Sequence, residues 1–157
     1  MMRIISLVLI LIICLKTNAQ KKQEDLYYFM TKDSLIGVKK GSGEVLIKPR
    51  RALHFDIDFK KPITEKLIYL DFEYNNDSIE PHSSMVVYNR KGEYLFAPFM
   101  FENGPEGYVE GLQRIVKNGK IGFANRNGDI VIEPKYDYAG MFNYGLAIYC
   151  IGCTWKI

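Results

Sequence analysis

The residues with the most obvious chemical potential are Cys150 and Cys153, in the run Cys150-Ile151-Gly152-Cys153. Such a pair can close a disulfide, cycle as a redox dithiol, or supply half of a zinc site. Redox cycling needs a helix behind the first thiol to lower its pKa, and only four residues follow Cys153. Zinc needs four ligands, and the two histidines, His54 and His82, have no spacing that recruits them. A disulfide and a reduced pair are the two readings left open. A second cluster is His54, Asp56 and Asp58, which alternate with Phe55, Ile57 and Phe59. On a strand these would share one face, either as a metal or acid–base cluster or, more plainly, as the polar side of a half-buried strand. A third set is Glu44, Glu93 and Asp129, each directly after a glycine. Their recurrence at one position points to a role at a turn exit. The basic pairs Lys39-Lys40, Arg50-Arg51 and Lys60-Lys61 fall where solvated charge is expected. The chain has no Gly-rich phosphate loop, nucleophile elbow or paired-His motif. No catalytic, cofactor-binding or metal-ligating residue is therefore assigned. The expectation is a protein that is not an enzyme and takes no cofactor.

The chain that must position these groups opens with an export signal. Arg3 is followed by an apolar run from Ile4 to Leu15, then Lys16 and Thr17-Asn18-Ala19. This is the layout of a secretory signal peptide over residues 1–19, cut before Gln20. The apolar run is shorter than the roughly 20 residues that span a bilayer, so the expectation is no membrane span in the mature chain. An uncleaved anchor and lipidation at Cys14 are the alternatives, and the bulky Ile13 argues against lipidation. Residues 1–19 hold two basic residues and no acid, so the formal charge of +3 falls to +1 once they are removed. That balance gives no reason to expect a nucleic-acid partner. Residues 20–157 suffice for one domain with a real core, and their eleven Tyr and nine Phe suit strands.

A repeat organises that domain. Ile121 to Pro134 reads IGFANRNGDIVIEP, and Ile36 to Pro49 reads IGVKKGSGEVLIKP, without a gap. Met85 to Pro98, MVVYNRKGEYLFAP, is a third copy. In each, the glycine (Gly43, Gly92, Gly128) lies six residues before the proline (Pro49, Pro98, Pro134). The clearest copy predicts strands over Leu112–Lys117, Lys120–Arg126 and Asp129–Glu133. Asn118-Gly119 and Asn127-Gly128 are read as two-residue turns, because Asn-Gly tolerates the positive φ of a type I′ hairpin. Pro134 is expected to end the third strand, since it cannot donate to a ladder. The units are placed at about 26–50, 66–99 and 107–135. A partial fourth is placed at 142–157, because Tyr108-x-x-Gly111-Leu112 recurs as Phe142-x-x-Gly145-Leu146, 34 residues on. That last unit is either a half-unit capping the array or an interrupted one. The fold class expected is all-β: antiparallel three-stranded meanders stacked as a short solenoid or open barrel-like array.

These motifs resemble the WG-containing repeat family. The resemblance is carried by Phe142, Gly145, Leu146 and Ala147, by Gly119-Lys120-Ile121-Gly122-Phe123, by Asn127-Gly128, by Ile130 to Pro134, and by Tyr136-Asp137. The namesake Trp is replaced by Ile36, Met85 and Ile121, and Trp155 stands in register but precedes Lys156 instead of Gly. The resemblance implies an exported bacterial protein with a binding or structural role and supplies no catalytic residue. With the export signal, it sets the functional expectation: a non-catalytic interaction module of the cell envelope, in the periplasm or outside the cell. It would bind a protein, peptide or glycan through a repeat surface, with the aromatics Tyr136, Tyr138, Phe142, Tyr144 and Tyr149 as the lead. Self-association through exposed β edges is the alternative, and a divergent hydrolase a distant third.

Overall fold

The computed structural model describes residues 24–53, 57–72, 80, 83–101 and 104–154. The expected signal peptide with Cys14, and His54, Asp56, His82 and Trp155, lie outside the described residues. Every regular element among the described residues is a strand. The first unit is β1 (Leu26–Met30), β2 (Leu35–Lys40) and β3 (Val45–Leu53). The second is β4 (Leu67–Phe72), β5 (Met85–Asn89) and β6 (Tyr94–Pro98). Two short strands, β7 (Met100–Phe101) and β8 (Gly104–Pro105), link it to the third, β9 (Leu112–Lys117), β10 (Lys120–Asn125) and β11 (Ile130–Tyr136). The strands β12 (Tyr138–Ala139) and β13 (Tyr149–Cys150) follow. The nine strands of the three units form one antiparallel sheet in the order β1-β2-β3-β4-β5-β6-β9-β10-β11. Neighbours in that sheet are neighbours among the long strands of the chain, so most pairings are local.

The core is divided, and each part is shared by two successive units. Ile36, Val38 and Ile47 of the first unit pack with Ile68, Leu70 and Val86 of the second. Leu67, Val87 and Phe96 of the second pack with Ile115 and Ala124 of the third. Ile121 and Phe123 of the third pack with Ala139, Phe142 and Ala147 beyond it. Alternate residues of a strand point to opposite faces. The middle strands of the second and third units therefore face two cores at once: Val86 and Val87 of β5 enter different ones, as do Phe123 and Ala124 of β10. This explains why β5 and β10 are buried on both faces, whereas the outer strand β11 alternates between half-buried and exposed.

The turns carry the repeat. Asn118 and Gly119 both have positive φ, 54° and 70°, and Lys117 pairs with Lys120, so this is the expected two-residue hairpin. The Asn127-Gly128 turn differs from expectation. Gly128 N–H donates to Asn125 O and Asn125 N–H to Asp129 O, which makes a three-residue loop with only Gly128 at positive φ. The same pair of bonds closes Lys40 to Glu44 and Asn89 to Glu93, with Gly43 and Gly92 at the left-handed position. A type I turn followed by a left-handed glycine has this geometry, and Asn-Gly there needs positive φ only at Gly.

The repeat proline does not end the strand in the first and third units. β3 runs through Pro49 and β11 through Pro134. The register slips beside each proline, between Ile36↔Arg50 and Val38↔Ile47, and between Ile121↔Tyr136 and Phe123↔Ile132. A bulge absorbs the missing N–H, and Pro is tolerated there. The bulge presses on a glycine of the middle strand. A Cβ on Gly122 would lie 2.5 Å from Ile132 O and 2.6 Å from Pro134 N, and one on Gly37 would lie 2.7 Å from Ile47 O. The Ile-Gly dipeptide and the distant proline are thus one device. The second unit has Val86 in place of the glycine, and there β6 stops at Pro98. The next unit then joins at Ala97↔Val116 and Pro98↔Ile115, whereas the first unit hands over beyond its proline, at Ala52↔Phe72 and Leu53↔Asp71.

Candidate functional site

The contacts between units follow one rule. The turn glycine of the second or third unit rests on leucines of the unit before it: Gly92 on the third strand, and Gly128 on the start of the first strand and, farther off, on the third. A Cβ on Gly92 would meet Leu46 Cγ at 2.8 Å, and a Cβ on Gly128 would meet Leu67 at 2.7 Å and Leu95 at 3.3 Å. Leu46 and Leu95 hold the same place in their units, three residues after the glycine. Lys66 Nζ also donates to Asn127 Oδ1 at 3.2 Å, and Arg90 Nη1 donates to Ile63 O and Glu65 O at 2.8 and 3.0 Å. At the two ends the rule has no partner among the described residues. Nothing lies within 4 Å of a Cβ built on Gly43, and Val131, the counterpart of Leu46 and Leu95, is 54% exposed.

The residues after β11 begin a fourth unit. Tyr138 pairs with Cys150 and Ala139 with Tyr149, so β13 joins the chain beyond Pro134 as β4 joins it beyond Pro49. The turn at Glu110-Gly111 recurs at Tyr144-Gly145: all four have positive φ, and Val109↔Leu112 and Asn143↔Leu146 are matching bridges. The two turns are tied together, since Gly145 N–H donates to Glu110 Oε2 at 2.9 Å. Asp137 secures the far end of β13. Its Oδ2 accepts from Gly152 N–H at 2.6 Å, and its Oδ1 pairs with Lys120. The Lys120 ammonium, then the Gly152 amide, hold the Asp137 carboxyl below its ordinary range. Cys150 and Cys153 are joined as a disulfide across the same turn.

This unit leaves several large apolar side chains exposed. Tyr149 is 63% exposed, where its third-unit counterpart Ile115 is fully buried. Tyr144 at 92%, Leu146, Ile148 and Ile151 are also exposed. Of the aromatic residues expected here, Tyr144 and Tyr149 are exposed, and the Tyr149 ring lies 4.6 Å from that of Tyr136. Phe142 instead packs edge-on against Phe123 at 4.9 Å, inside the third core.

The other groups singled out in the sequence do not converge. Asp58 lies in a turn outside any strand, accepting from Lys60 N–H at 3.0 Å, and it lines a shallow cleft of about 430 Å³ with Tyr28, Lys61 and Glu65. The Lys60 amide and Lys61 lower its pKa. Glu44, Glu93 and Asp129 sit on three separate turns, each clasped across its own turn by Lys40, Asn89 or Asn125. Among the described residues no three His, Cys, Asp or Glu come together to hold a metal ion, and no helix is long and apolar enough to cross a membrane.

Two buried charged groups had no signal in the sequence. Glu80, 4% exposed, accepts from Tyr94 Oη–H at 2.8 Å and from the Asn118 and Gly119 amides at 2.9 and 3.1 Å. It thereby ties the second unit to the opening turn of the third. Burial, then the Glu80 carboxylate, push the Tyr94 hydroxyl pKa far up. Arg114 makes a buried, two-pronged ion pair with Glu106, donates to Ala139 O at 2.6 Å, and stacks on Phe99 at 4.1 Å. It links the third unit to the fourth. Both pairs depend on folding, because loops of no repeat pattern deliver Glu80 and Glu106.

No curated protein and no solved structure matches the chain. A family model described as the WG containing repeat matches residues 121–155. That span runs from Ile121-Gly122 through β10, β11, β12 and β13 to Trp155, one repeat period. The match agrees with the resemblance drawn from the motifs and covers the C-terminal part of the chain.

Proposed function

We propose that this chain is a non-catalytic interaction module, exported to the bacterial cell envelope, that binds a protein or peptide through the C-terminal end of its repeat array. The carrying observation is the exposed apolar strip Tyr144, Leu146, Ile148, Tyr149 and Ile151. Apolar patches of this kind on a protein surface mark interaction sites. Leu and Ile favour an apolar protein surface over a glycan, which would call for aromatic platforms and polar groups. The signal-like layout of Arg3, Ile4 to Leu15 and Ala19 supports export. Cores shared unit by unit support a short solenoid, whose stability is a sum of neighbouring interfaces. The test is photo-crosslinking from position 144 in intact cells, followed by the double variant Ile148→Asp/Ile151→Asp. The expected result is a discrete crosslinked species that the double variant loses while keeping its fold by circular dichroism. A patch that crosslinks nothing, or crosslinks equally in the variant, would refute the reading.

A second reading is a structural adaptor that self-associates through open sheet edges. Its support is that β1 and β11 end the nine-stranded sheet, with Met30 half exposed on β1. Light scattering separates the two readings: concentration-dependent oligomers favour the adaptor, and a monomer at high concentration refutes it.

A further inference from the structure

We infer that the outer edge of β1, with the cleft beside it, binds an extended peptide segment carrying a basic residue, which adds as a strand along Tyr28 to Met30. This is a second site, independent of the exposed C-terminal strip. The backbone of β1 sets the direction of its polar groups. Thr31 N–H donates to Leu35 O and Gly41 N–H to Asp25 O, so the odd-numbered residues bond to β2. In an antiparallel pair the alternate residues point their N–H and C=O away from the partner. Those residues are Leu26, Tyr28 and Met30. Leu26 O already accepts from Ile63 N–H at 2.7 Å. Among the described residues no strand takes the N–H and C=O groups of Tyr28 and Met30, since β1 ends the sheet.

The other units show what such an edge accepts. Met30, Asp71 and Val116 are counterparts, each opposite the first residue of its repeat motif, Ile36, Met85 or Ile121. Across the outer edge Asp71 pairs with Leu53 and Val116 with Ala97, each in an antiparallel strand. Val116 is 2% exposed there, and Met30 is 48% exposed. The 57–65 loop supplies a second wall. Ile63 is buried in the first core, and Ile57 and Phe59 pack against it, so the loop is anchored beside β1. Tyr28, Ile57, Asp58, Lys61 and Glu65 line the cleft of about 430 Å³, within the roughly 300–1,000 Å³ of ligand sites. Charge selects the occupant. Asp58 pairs with Lys61 at 3.2 Å, whereas Glu65 pairs with no lysine or arginine among the described residues. A Lys or Arg of the incoming segment would meet that carboxylate. Because the loop holds the Leu26 end, only Tyr28 to Met30 stay open, which suits a short segment better than the edge of a second sheet. Main-chain pairing supplies the affinity and the cleft supplies the sequence preference.

The probe is a phage-displayed library of random decapeptides panned against the full chain. Synthetic versions of the enriched peptides are then titrated in, and the bound state is read by amide hydrogen exchange. The expected peptides alternate apolar or β-branched residues, carry a Lys or Arg, and bring new protection to the Tyr28 and Met30 amides. Met30→Pro removes one outward N–H and leaves the β1–β2 ladder intact, because an edge strand tolerates Pro on its solvent side. It should weaken binding by about tenfold. Glu65→Gln leaves the backbone alone and should erase the preference for a basic residue, so it tests the site even if Met30→Pro disturbs the fold. No enrichment, protection that appears away from β1, or binding and selection indifferent to Glu65→Gln would each overturn the inference. Light scattering that finds dimers, lost in Met30→Pro, would also overturn it by making a second copy the occupant.

Discussion

Gly122 is the position where the repeat motif makes its sharpest energetic demand. Its φ is not in the left-handed region, so replacing it tests sterics alone. A Cβ would stand 2.5 Å from Ile132 O, 2.6 Å from Pro134 N and 2.8 Å from Pro134 Cα. All three are backbone atoms of the adjoining strand and cannot swing away. Ordinary contact needs about 3.5 Å, so β11 must retreat by roughly 0.7–1 Å. That displacement stretches nearby ladder hydrogen bonds beyond useful length. Overpacking costs about 1–3 kcal/mol, and one or two lost backbone bonds add about 1 kcal/mol each. The lower entropy of an unfolded Ala chain returns about 0.5 kcal/mol. Gly122→Ala should therefore destabilise the protein by about 3 kcal/mol. The control is Gly43→Ala, whose new Cβ meets nothing within 4 Å and bears only the strain of φ +95°, about 1–2 kcal/mol. Urea unfolding of both variants, compared at equal m-values, measures the difference. If Gly43→Ala costs as much as Gly122→Ala, or if Gly122→Ala lies within about 0.5 kcal/mol of the parent, the coupling of glycine to the proline bulge is wrong.

Two further outcomes follow from groups that join units. Glu80→Ala should cost about 1–2 kcal/mol, because it removes the buried carboxylate that the part-buried Tyr94 hydroxyl and the Asn118 and Gly119 amides donate to. Hydrogen exchange should then quicken first at the β9–β10 turn, and unchanged exchange there would count against the assignment. Asp137 has a depressed pKa in the folded state, so its contribution is present above its unfolded value near 3.8 and is lost as pH falls through the lower folded value. Acid titration followed by NMR should release the Gly152 amide in that range. The Asp137→Asn variant should abolish this acid transition, and a transition unchanged in the variant would place its cause elsewhere.

How much of this was legible in the sequence can be judged element by element. The strand Leu112–Lys117 and the Asn118-Gly119 hairpin were readable, because local conformational preference and the tight turn agree there. The turn at Gly128 was readable as a turn but not as a type, since Asn-Gly suits two loop lengths and only the strands on either side choose between them. Pro134 reads as a stop in the sequence, yet β11 continues through it. A proline removes a donor, but whether a bulge can absorb the loss depends on the residue opposite, and that residue is twelve positions back, at Gly122. His54 and Asp56 lie outside the described residues, and the neighbouring Asp58 sits in a turn instead of continuing an alternating strand.

The sequence by itself determined the units. Gapless spacing of turn glycine and proline, with Ile-Gly in the first and third copies, specifies three antiparallel meanders, and the recurrence of Gly-Leu at Gly145-Leu146 the start of a fourth, because each motif acts within a few residues or across one hairpin. Only the tertiary structure decided how the units meet. Glycine on leucine, Glu80 on the Asn118-Gly119 amides and Arg114 on Glu106 bring together residues whose separation follows no fixed period. Exposure of Val131 and Tyr149 belongs to the same category. A side chain's type says that it can be buried, and only its neighbours in space say whether it is.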